Sequence, residues 1–526
     1  MTTRLPAGWS WLHLEKFASL EPNAITDGPF GSNLKTADYV ENGEVRVIRL
    51  GNLGVGHFID DDRSFVSTEK FVGLRKHEAC PGDLVVAALA EPVGRCVEVP
   101  GHLGRALVKA DCIRVRVNPA FDRRYLLHAL NSPGGRSRAE AAAHGMGRLR
   151  MNLGDVRSLL VPTAPPAEQR RIVAKLEALQ SRSRRAREAL DAVPPLLEKL
   201  RQSILAAAFR GDLTKDWRAK HKDVEPASKL LERIRAERRK KWEEGDLARK
   251  TAKGKPPGDD TWKEKYGEPQ PVNGAKLPEL PEGWCWASVA ELSTLITSGS
   301  RGWAEYYSIS GPLFVRSQDI NSDVLRLGEV AHVQVPASRE GARTRVQQGD
   351  VLITITGANV TRCAWVTQEL SEAYVSQHVA LVRPVAGVEV AFLHLWLVAE
   401  TGGRRQLKRA AYGLGKPGLN LDDVGSVVVP IPPADEQLEL TQRTVDLIGV
   451  VAGTSTTVDQ LHATLATLDR AILAKAFRGE LVPQDPNDEP AEAMLARLRE
   501  TNGASENGAA RELRGRGQGR QRRDRE

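Results

Sequence analysis

Between Glu168 and Gly211 the chain places Ile172, Leu176, Leu179, Ser183, Ala186, Leu190, Val193, Leu197, Leu200, Ile204 and Ala207 at alternating steps of four and three. That spacing lines one stripe along a helix and marks a coiled-coil seam. The stripe recurs at Leu440, Thr444, Leu447, Val451, Thr454, Val458, Leu461, Leu465, Leu468, Ile472 and Lys475. A helix with a single apolar stripe cannot bury it alone, so a chain with two matching seams most simply packs them against each other. At ~1.5 Å per residue each helix would extend about 65 Å. Pro194 and Pro195 remove helix donors from the first copy only, where His462 and Ala463 stand in the second, so a kink is expected near Val193. The alternative is two amphipathic helices, each packed on its own domain.

The repeat is wider than the helices. LPAGWSW at Leu5 returns as LPEGWCW at Leu280, GDLVV at Gly82 as GDVLI at Gly349, and Arg95-Cys96 as Arg362-Cys363. Gly145, Gly147 and Asn152 match Gly413, Gly415 and Asn420, PPAEQ at Pro165 matches PPADEQ at Pro432, and AFRGDL at Ala208 matches AFRGEL at Ala476. The order is module, helix, linker, module, helix, tail. The expected boundaries are a first globular module over 1–165, its helix over 166–212, a basic, partly helical linker over 213–278, a second module over 279–432, its helix over 433–480, and a disordered basic tail over 481–526.

Within each module the signals are short and mixed, an α+β pattern with long loops. Asp83–Leu89, Cys112–Val117, Val351–Ile355 and Val427–Ile431 are strand-like, and Phe121–Asn131 and Ala391–Thr401 suggest one helix per module. A Pro-Pro pair leads each module into its long helix, where Glu168 and Glu436 suit the positive helix end. The fold class expected is therefore α+β: two globular modules, each followed by a long helix, with the helices packed as an antiparallel coiled coil in a pseudo-twofold internal repeat.

Composition narrows the function. An apolar content of 41% suffices for folded cores, no run reaches the ~18 apolar residues of a membrane span, and the opening MTTRLPAGWSW lacks the apolar core of a secretory signal. A cytoplasmic protein is expected. Five cysteines, odd in number and without CxxC, indicate neither a disulfide framework nor a zinc site. The net charge of +8 is concentrated: 18 Lys or Arg against 12 Asp or Glu lie between Lys215 and Lys276, where ERIRAERRKKWEE has the composition of a solvated helix running from about Ala227 to Glu243. The Gly- and Arg-rich tail beyond Thr501 cannot build a core and can hold nucleic acid electrostatically.

Tests for catalytic chemistry fail. There is no HExxH, GxSxG or GxxxxGK[ST]. GLGKPG at Gly413 fits GxGxxG but precedes a strand instead of following one, and HGMGRLR in the first module lacks the third glycine. NPAF at Asn118 is similar to the NPPF of adenine methyltransferases, yet it has one proline, no second copy and no glycine-rich cofactor motif upstream. Asp83 and Asp350 begin strands without the following ExK of a nuclease site. No catalytic and no cofactor-binding residue is assigned.

LPxGW openings, PPxxEQ helix starts and AFRG(E/D)L helix ends, each occurring twice and in order, resemble the specificity subunit of type I restriction-modification systems. DGPFGSNLK at Asp27 with VIRLGN at Val47, and SGSRGWAEYYS at Ser298 with FVRSQDI at Phe314, resemble target-recognition domain variants of that family. The resemblance implies a non-catalytic, prokaryotic subunit whose two target-recognition domains each read one half of a split double-stranded DNA site. It implies an antiparallel helical spacer around which two methyltransferase subunits and the restriction/translocase subunits dock, and it places S-adenosylmethionine, ATP and Mg only in those partners. Two other classes stay open: a self-contained methyltransferase with a diverged cofactor site, and a coiled-coil scaffold without DNA. Sequence is read by Arg, Lys, Asn and Gln at base edges, whereas hydroxyls, amides and cations hold phosphates. The candidate DNA contacts are Ser32, Asn33 and Lys35 in a Gly-rich turn, Arg49 and Asn52 after a strand, Ser300, Arg301 and Trp303 in a polar and aromatic cluster, Arg316 and Gln318 beyond it, and Arg148 and Lys416 in the glycine-rich loops.

Overall fold

The chain, seen in a computed structural model, is described for residues 4–89, 91–334, 341–412 and 417–498. Lys416, Gly413 and Gly415 lie outside the described residues, as does the part of the expected disordered tail beyond Leu498. Two compact units result, one made of the chain up to Asp191 with the stretch from Asp459 onward, the other of Ala192–Val458. Both unit boundaries fall inside the long helices, so each unit contains one module with one end of each helix.

The first module is built on a four-stranded sheet in the order Ile25–Thr26, Cys112–Val115, Leu84–Ala87, Cys96–Glu98. Both faces of Leu84–Ala87 are buried, as its uninterrupted apolar run requires. Leu84 and Val86 face the helix Arg123–Asn131, while Val85 and Ala87 face Ile48 and Val108 of a second, five-stranded sheet. The second module repeats the four-stranded order as Ser293–Ser298, Val379–Pro384, Val351–Thr354, Cys363–Trp365. Val351 and Ile353 face Phe392 and Trp396, and Leu352 faces Val315 and Val375. Asp83 and Asp350, at the starts of the central strands, are structural. Each accepts a two-pronged ion pair, from Arg116 at 3.1 and 2.9 Å and from Arg383 at 2.8 and 2.8 Å.

In each module the expected helix is followed directly by another, Arg123–Asn131 by Pro133–Ala142 and Val390–Val398 by Gly403–Ala410, and shorter helices lie elsewhere. The added helices carry glycine in their first turn because they lie against the end of the preceding one. A Cβ on Gly135 would stand 2.2 Å from the Ala129 carbonyl oxygen, and one on Gly403 would stand 2.9 Å from Leu397 Cα. Ser132 caps the first of them by accepting from the Gly135 amide at 3.0 Å.

The first long helix runs over Pro166–Asp191, breaks at Ala192 and resumes over Val193–Phe209 with proline in its first turn, the interruption expected near Val193. Its counterpart, Ala434–Ala476, is a single helix of 43 residues. Within the first unit, ion pairs join Arg171 to Asp488, Arg187 to Asp469 and Asp191 to His462, an order that makes the two helix ends antiparallel. The seam differs from the expected one in two respects. Near the C-terminal end of the first helix Leu205 and Ala208 are buried, one residue on from Ile204 and Ala207, and in the unbroken second helix Ala476 is likewise buried in place of Lys475, because both helix ends pack into a module core. In mid-helix Leu200, Leu447, Leu461 and Leu468 are exposed.

The repeated motifs meet at one junction per unit. In the first, the Trp9 indole donates to Glu168 Oε2 at 2.9 Å, Gln169 caps the Ala164 carbonyl at 2.8 Å, and Phe477 packs edge-on against Tyr125 at 5.2 Å. In the second, Trp284 donates to Glu436 at 2.9 Å, Gln437 caps Pro432 at 2.9 Å, and Phe209 packs on Trp396 at 4.8 Å. Each LPxGW thus joins the PPxxEQ of its own module to the AFRG that ends the other long helix. Gly211 and Gly479, at φ +76° and +75°, turn the chain there against Pro281 and Pro6.

The order continues past AFRG, which corrects the expected solvated linker helix and the expected tail. The linker helix spans Ala227–Ala252, and Ala227, Leu230, Leu231 and Ile234 are buried in the second core. Trp262 and Tyr266 cover Trp242 further along it, at 6.1 and 5.4 Å. Residues 491–498 are likewise helical and place Ala491 and Met494 in the first unit. EPA at Glu225 and at Glu489 opens both helices, and Ala227 and Ala491 donate to the carbonyls of Gly283 and Gly8, the LPxGW glycines, at 2.8 and 3.0 Å. The tail residues expected to be disordered are ordered here because an apolar face at Ala491, Met494 and Leu495 finds a core.

The two junctions differ in one atom. Glu436 Oε1 is bonded by Thr214 at 2.6 Å and by Arg218, whereas Val482 and Pro486 stand at the matching positions and Glu168 Oε1 is buried without a partner. Burial holds the Glu168 carboxyl above its ordinary pKa, against the opposing pull of the Trp9 bond. A carboxyl raised in the folded state contributes stability below its unfolded pKa that is lost as pH rises through the folded one. Glu168→Gln is expected to remove that slope from the pH dependence of unfolding, and an unaltered slope contradicts the assignment. Glu436→Gln, which breaks a buried pair, is expected to cost about 3 kcal/mol at neutral pH in urea titration.

Candidate nucleic-acid interface

In the first module three loops supply the candidate contacts. The Gly-rich stretch begins with Gly28 pressed on the backbone of Lys109, where a Cβ would come within 2.1 Å of its carbonyl carbon. A tight turn, Gly31–Asn33, follows, with Gly31 at φ +53°, and Leu34 is buried beneath it. Ser32 lies in this turn, and Asn33 and Lys35 beside it are exposed. The Lys35 amide donates to Asp38 Oδ2 at 2.6 Å, so the backbone at this cation is held while its side chain faces solvent.

The second loop follows the strand Val45–Ile48. The Arg49 guanidinium is ion-paired to Asp62 and about a third exposed. Asn52 is fully buried: its Oδ1 accepts from the Arg49 amide at 2.9 Å, and its Nδ2 donates to the carbonyls of Ile59 and Asp62, both at 2.9 Å. Asn52 therefore shapes the loop that presents Arg49 and does not itself face solvent. The second module builds the same turn with Arg316 and Asp319. The Arg316 amide donates to Asp319 Oδ2 at 2.7 Å, and its guanidinium grips that carboxylate at 3.1 and 3.0 Å. The Asp319 carboxylate raises the Arg316 pKa, so the charge is permanent. The exposed Gln318 amide oxygen, in the orientation its neighbours require, accepts from Arg316 at 3.2 and 3.3 Å. The Arg316 guanidinium also donates to the Glu329 carbonyl at 3.0 Å, so its planar fork is held in one orientation.

Trp303 is not at the surface. It is 7% exposed and packs on Phe314 at 5.1 Å and Tyr374 at 6.2 Å in a small aromatic core. Its role is to anchor the loop on which Ser300 is half-buried and Arg301 exposed. Gly299 makes the close approach that fixes this loop, since a Cβ there would meet the Val375 carbonyl oxygen at 2.2 Å.

The third loop, His144–Arg150, exposes Arg148 beside a cleft of about 500 Å³. Phe30 and Arg150 line it together, the Arg150 carbon 5.4 Å from the ring centroid, with Arg150 also 2.9 Å from Asp111. Arg148 and the Gly-rich turn thus share one cleft, while Arg49 belongs to the neighbouring sheet. Phe30 and Arg150 escaped the sequence reading, although the exposed aromatic sits within DGPFGSNLK itself.

No family model matches the chain. It is 26% identical over 394 residues to the type I restriction enzyme EcoBI specificity subunit of Escherichia coli, a match covering 73% of each chain. It is 21% identical over 518 residues to the EcoKI specificity subunit of Escherichia coli strain K12, covering 95% of this chain and 97% of that one. A solved structure concerned with complex assembly and conformational transition of the type I R-M system contains a chain of the same fold, with a TM-score of 0.61 at 20% identity, covering 91% of this chain and 100% of that one. The resemblance first carried by the LPxGW, PPxxEQ and AFRG repeats extends along nearly the whole sequence: this chain is a relative of the type I restriction enzyme specificity subunits.

Proposed function

We propose that the chain is the non-catalytic DNA-recognition subunit of a type I restriction-modification complex, reading a bipartite site with one half-site per module. The observation that carries this reading is the clamped arginine. Arg49 and Arg316 occupy the same turn of two repeated modules, each partly exposed and each oriented by a carboxylate, while the loops around them differ in sequence. One reading device set in two different surfaces suits two different half-sites. Direct base contacts come from these arginines and from Asn33, Lys35, Arg301 and Gln318, with Ser32, Ser300, Arg148 and Lys416 on phosphates or at the rim. Asn52 and Trp303 support the loops from within.

The long helices act as the spacer between readers, packed antiparallel, and their exposed leucines offer apolar surface to two methyltransferase subunits. Restriction/translocase subunits join through these. S-adenosylmethionine, ATP and Mg belong to the partners, whose methylation and cleavage this chain directs. Among the described residues no helix is long and apolar enough to cross a membrane, and a cytoplasmic, prokaryotic setting accords with the proposed partners. A self-contained methyltransferase is not favoured.

Two experiments test the reading. Arg49→Ala is expected to relax one position of one half-site and Arg316→Ala one position of the other, each by about 1–3 kcal/mol of discrimination in competition binding. Relaxation of both half-sites by either substitution contradicts the assignment of one half-site per module. Deleting one heptad from each helix, 183–189 and 451–457, is expected to shorten the unread gap between half-sites, since the deletion removes about 10 Å of helix. A gap of unchanged length excludes the helices as the spacer.

A further inference from the structure

Both modules keep one short loop that the reading of half-sites does not require. It is Gly145-Met146-Gly147-Arg148 in the first and Gly413-Leu414-Gly415-Lys416 in the second, the latter outside the described residues. An apolar residue between two glycines, followed by a cation, is retained while the loops around Asn33 and Arg301 diverge. A feature common to modules that differ elsewhere suits a task independent of base sequence.

The first copy is held rigidly. His144 and Arg150 exchange two backbone hydrogen bonds, at 2.8 and 2.9 Å, and close the loop at its base. The Met151 amide ties it to Ala88 at 2.8 Å. Gly145 and Gly147, at φ +118° and +85°, take conformations that strain any other residue, so the turn presents Met146 on a narrow neck. Met146 is fully exposed. A single exposed apolar side chain is ordinary. This one stands on a closed loop beside Arg148, above the cleft where Arg150 lies over the Phe30 ring and pairs with Asp111, and where His144 stands 3.6 Å from Asp155.

We propose that Met146 is an apolar wedge that enters a base step of bound DNA while Arg148 meets the adjacent phosphate. The inference rests on the reading of the chain as a DNA-recognition subunit. Unbranched or flexible apolar side chains such as Met and Leu unstack base steps, and the gain is a deformed duplex that meets more protein surface. The exposed Arg148 cation two residues from Met146 favours a polyanion over an apolar pocket of a protein partner.

The test uses the full-length chain and a duplex carrying the motif that the wild-type chain enriches from random DNA, with 2-aminopurine at successive positions of the first half-site. The wild-type chain is expected to raise fluorescence at one step. Met146→Ala is expected to abolish that rise and weaken binding roughly tenfold, the loss of one buried apolar side chain, with the second half-site motif unchanged. Met146→Leu retains the rise. The exposed position of Met146 leaves the unfolding transition unaltered, which a melting curve checks. No rise with the wild-type chain, or a rise that Met146→Ala leaves in place, overturns the proposal. So does loss of partner-subunit retention by Met146→Ala with fluorescence unchanged, which assigns the tip to a protein contact. Failure of the wild-type chain to enrich any motif instead overturns the DNA-recognition reading beneath it.

Discussion

The hydrogen bond from an LPxGW indole to the first-turn carboxylate of a long helix, Trp9 to Glu168 and Trp284 to Glu436, is the contact around which each unit is assembled. An indole N–H has one donor and a buried carboxylate needs several, so each is costly when left alone. Pairing them fixes where the helix leaves the module. The glutamine that follows caps the carbonyl two residues before the helix start, which sets its starting direction. Three motifs far apart in sequence are therefore parts of one joint.

That joint also receives the end of the other helix. Phe477 closes on Tyr125 in the first unit and Phe209 on Phe392 and Trp396 in the second, so each helix begins at one joint and ends in the other. The helices EPA at Ala227 and 491–498 then cover the LPxGW glycines in the same crossed sense. Each unit therefore combines motifs from both copies of the repeat. The exception is informative: Thr214 and Arg218 satisfy Glu436, while Val482 and Pro486 leave one oxygen of Glu168 unmatched.

The repeat, the strands around Leu84 and Val351 and the interruption beside Pro194 were legible in the sequence because each depends on local chemistry: apolar runs between turn residues, and proline geometry. The helix that directly follows the expected one in each module was not, since Gly134-Gly135 and Gly402-Gly403 look like breakers until the close approach to the previous helix is seen. The seam shifts by one residue at the ends of both helices, to Ala208 from Ala207 and to Ala476 from Lys475, because there each helix packs on a module core, which heptad counting does not register. Candidate site residues divide by the same logic. Asn33, Lys35, Arg148 and Arg301 are exposed as polar loop residues should be, whereas Asn52 and Trp303 are held inside by partners that come from distant segments. The carboxylates that clamp Arg49 and Arg316 illustrate both cases: Asp319 lies three residues from its arginine, Asp62 thirteen.

The proposed pair of readers has one consequence that no single-module DNA binder reproduces. Random-sequence duplexes retained by the full-length chain and then sequenced should contain two short defined blocks separated by a fixed number of unconstrained bases. A single uninterrupted block, or no enrichment over the input pool, contradicts the account.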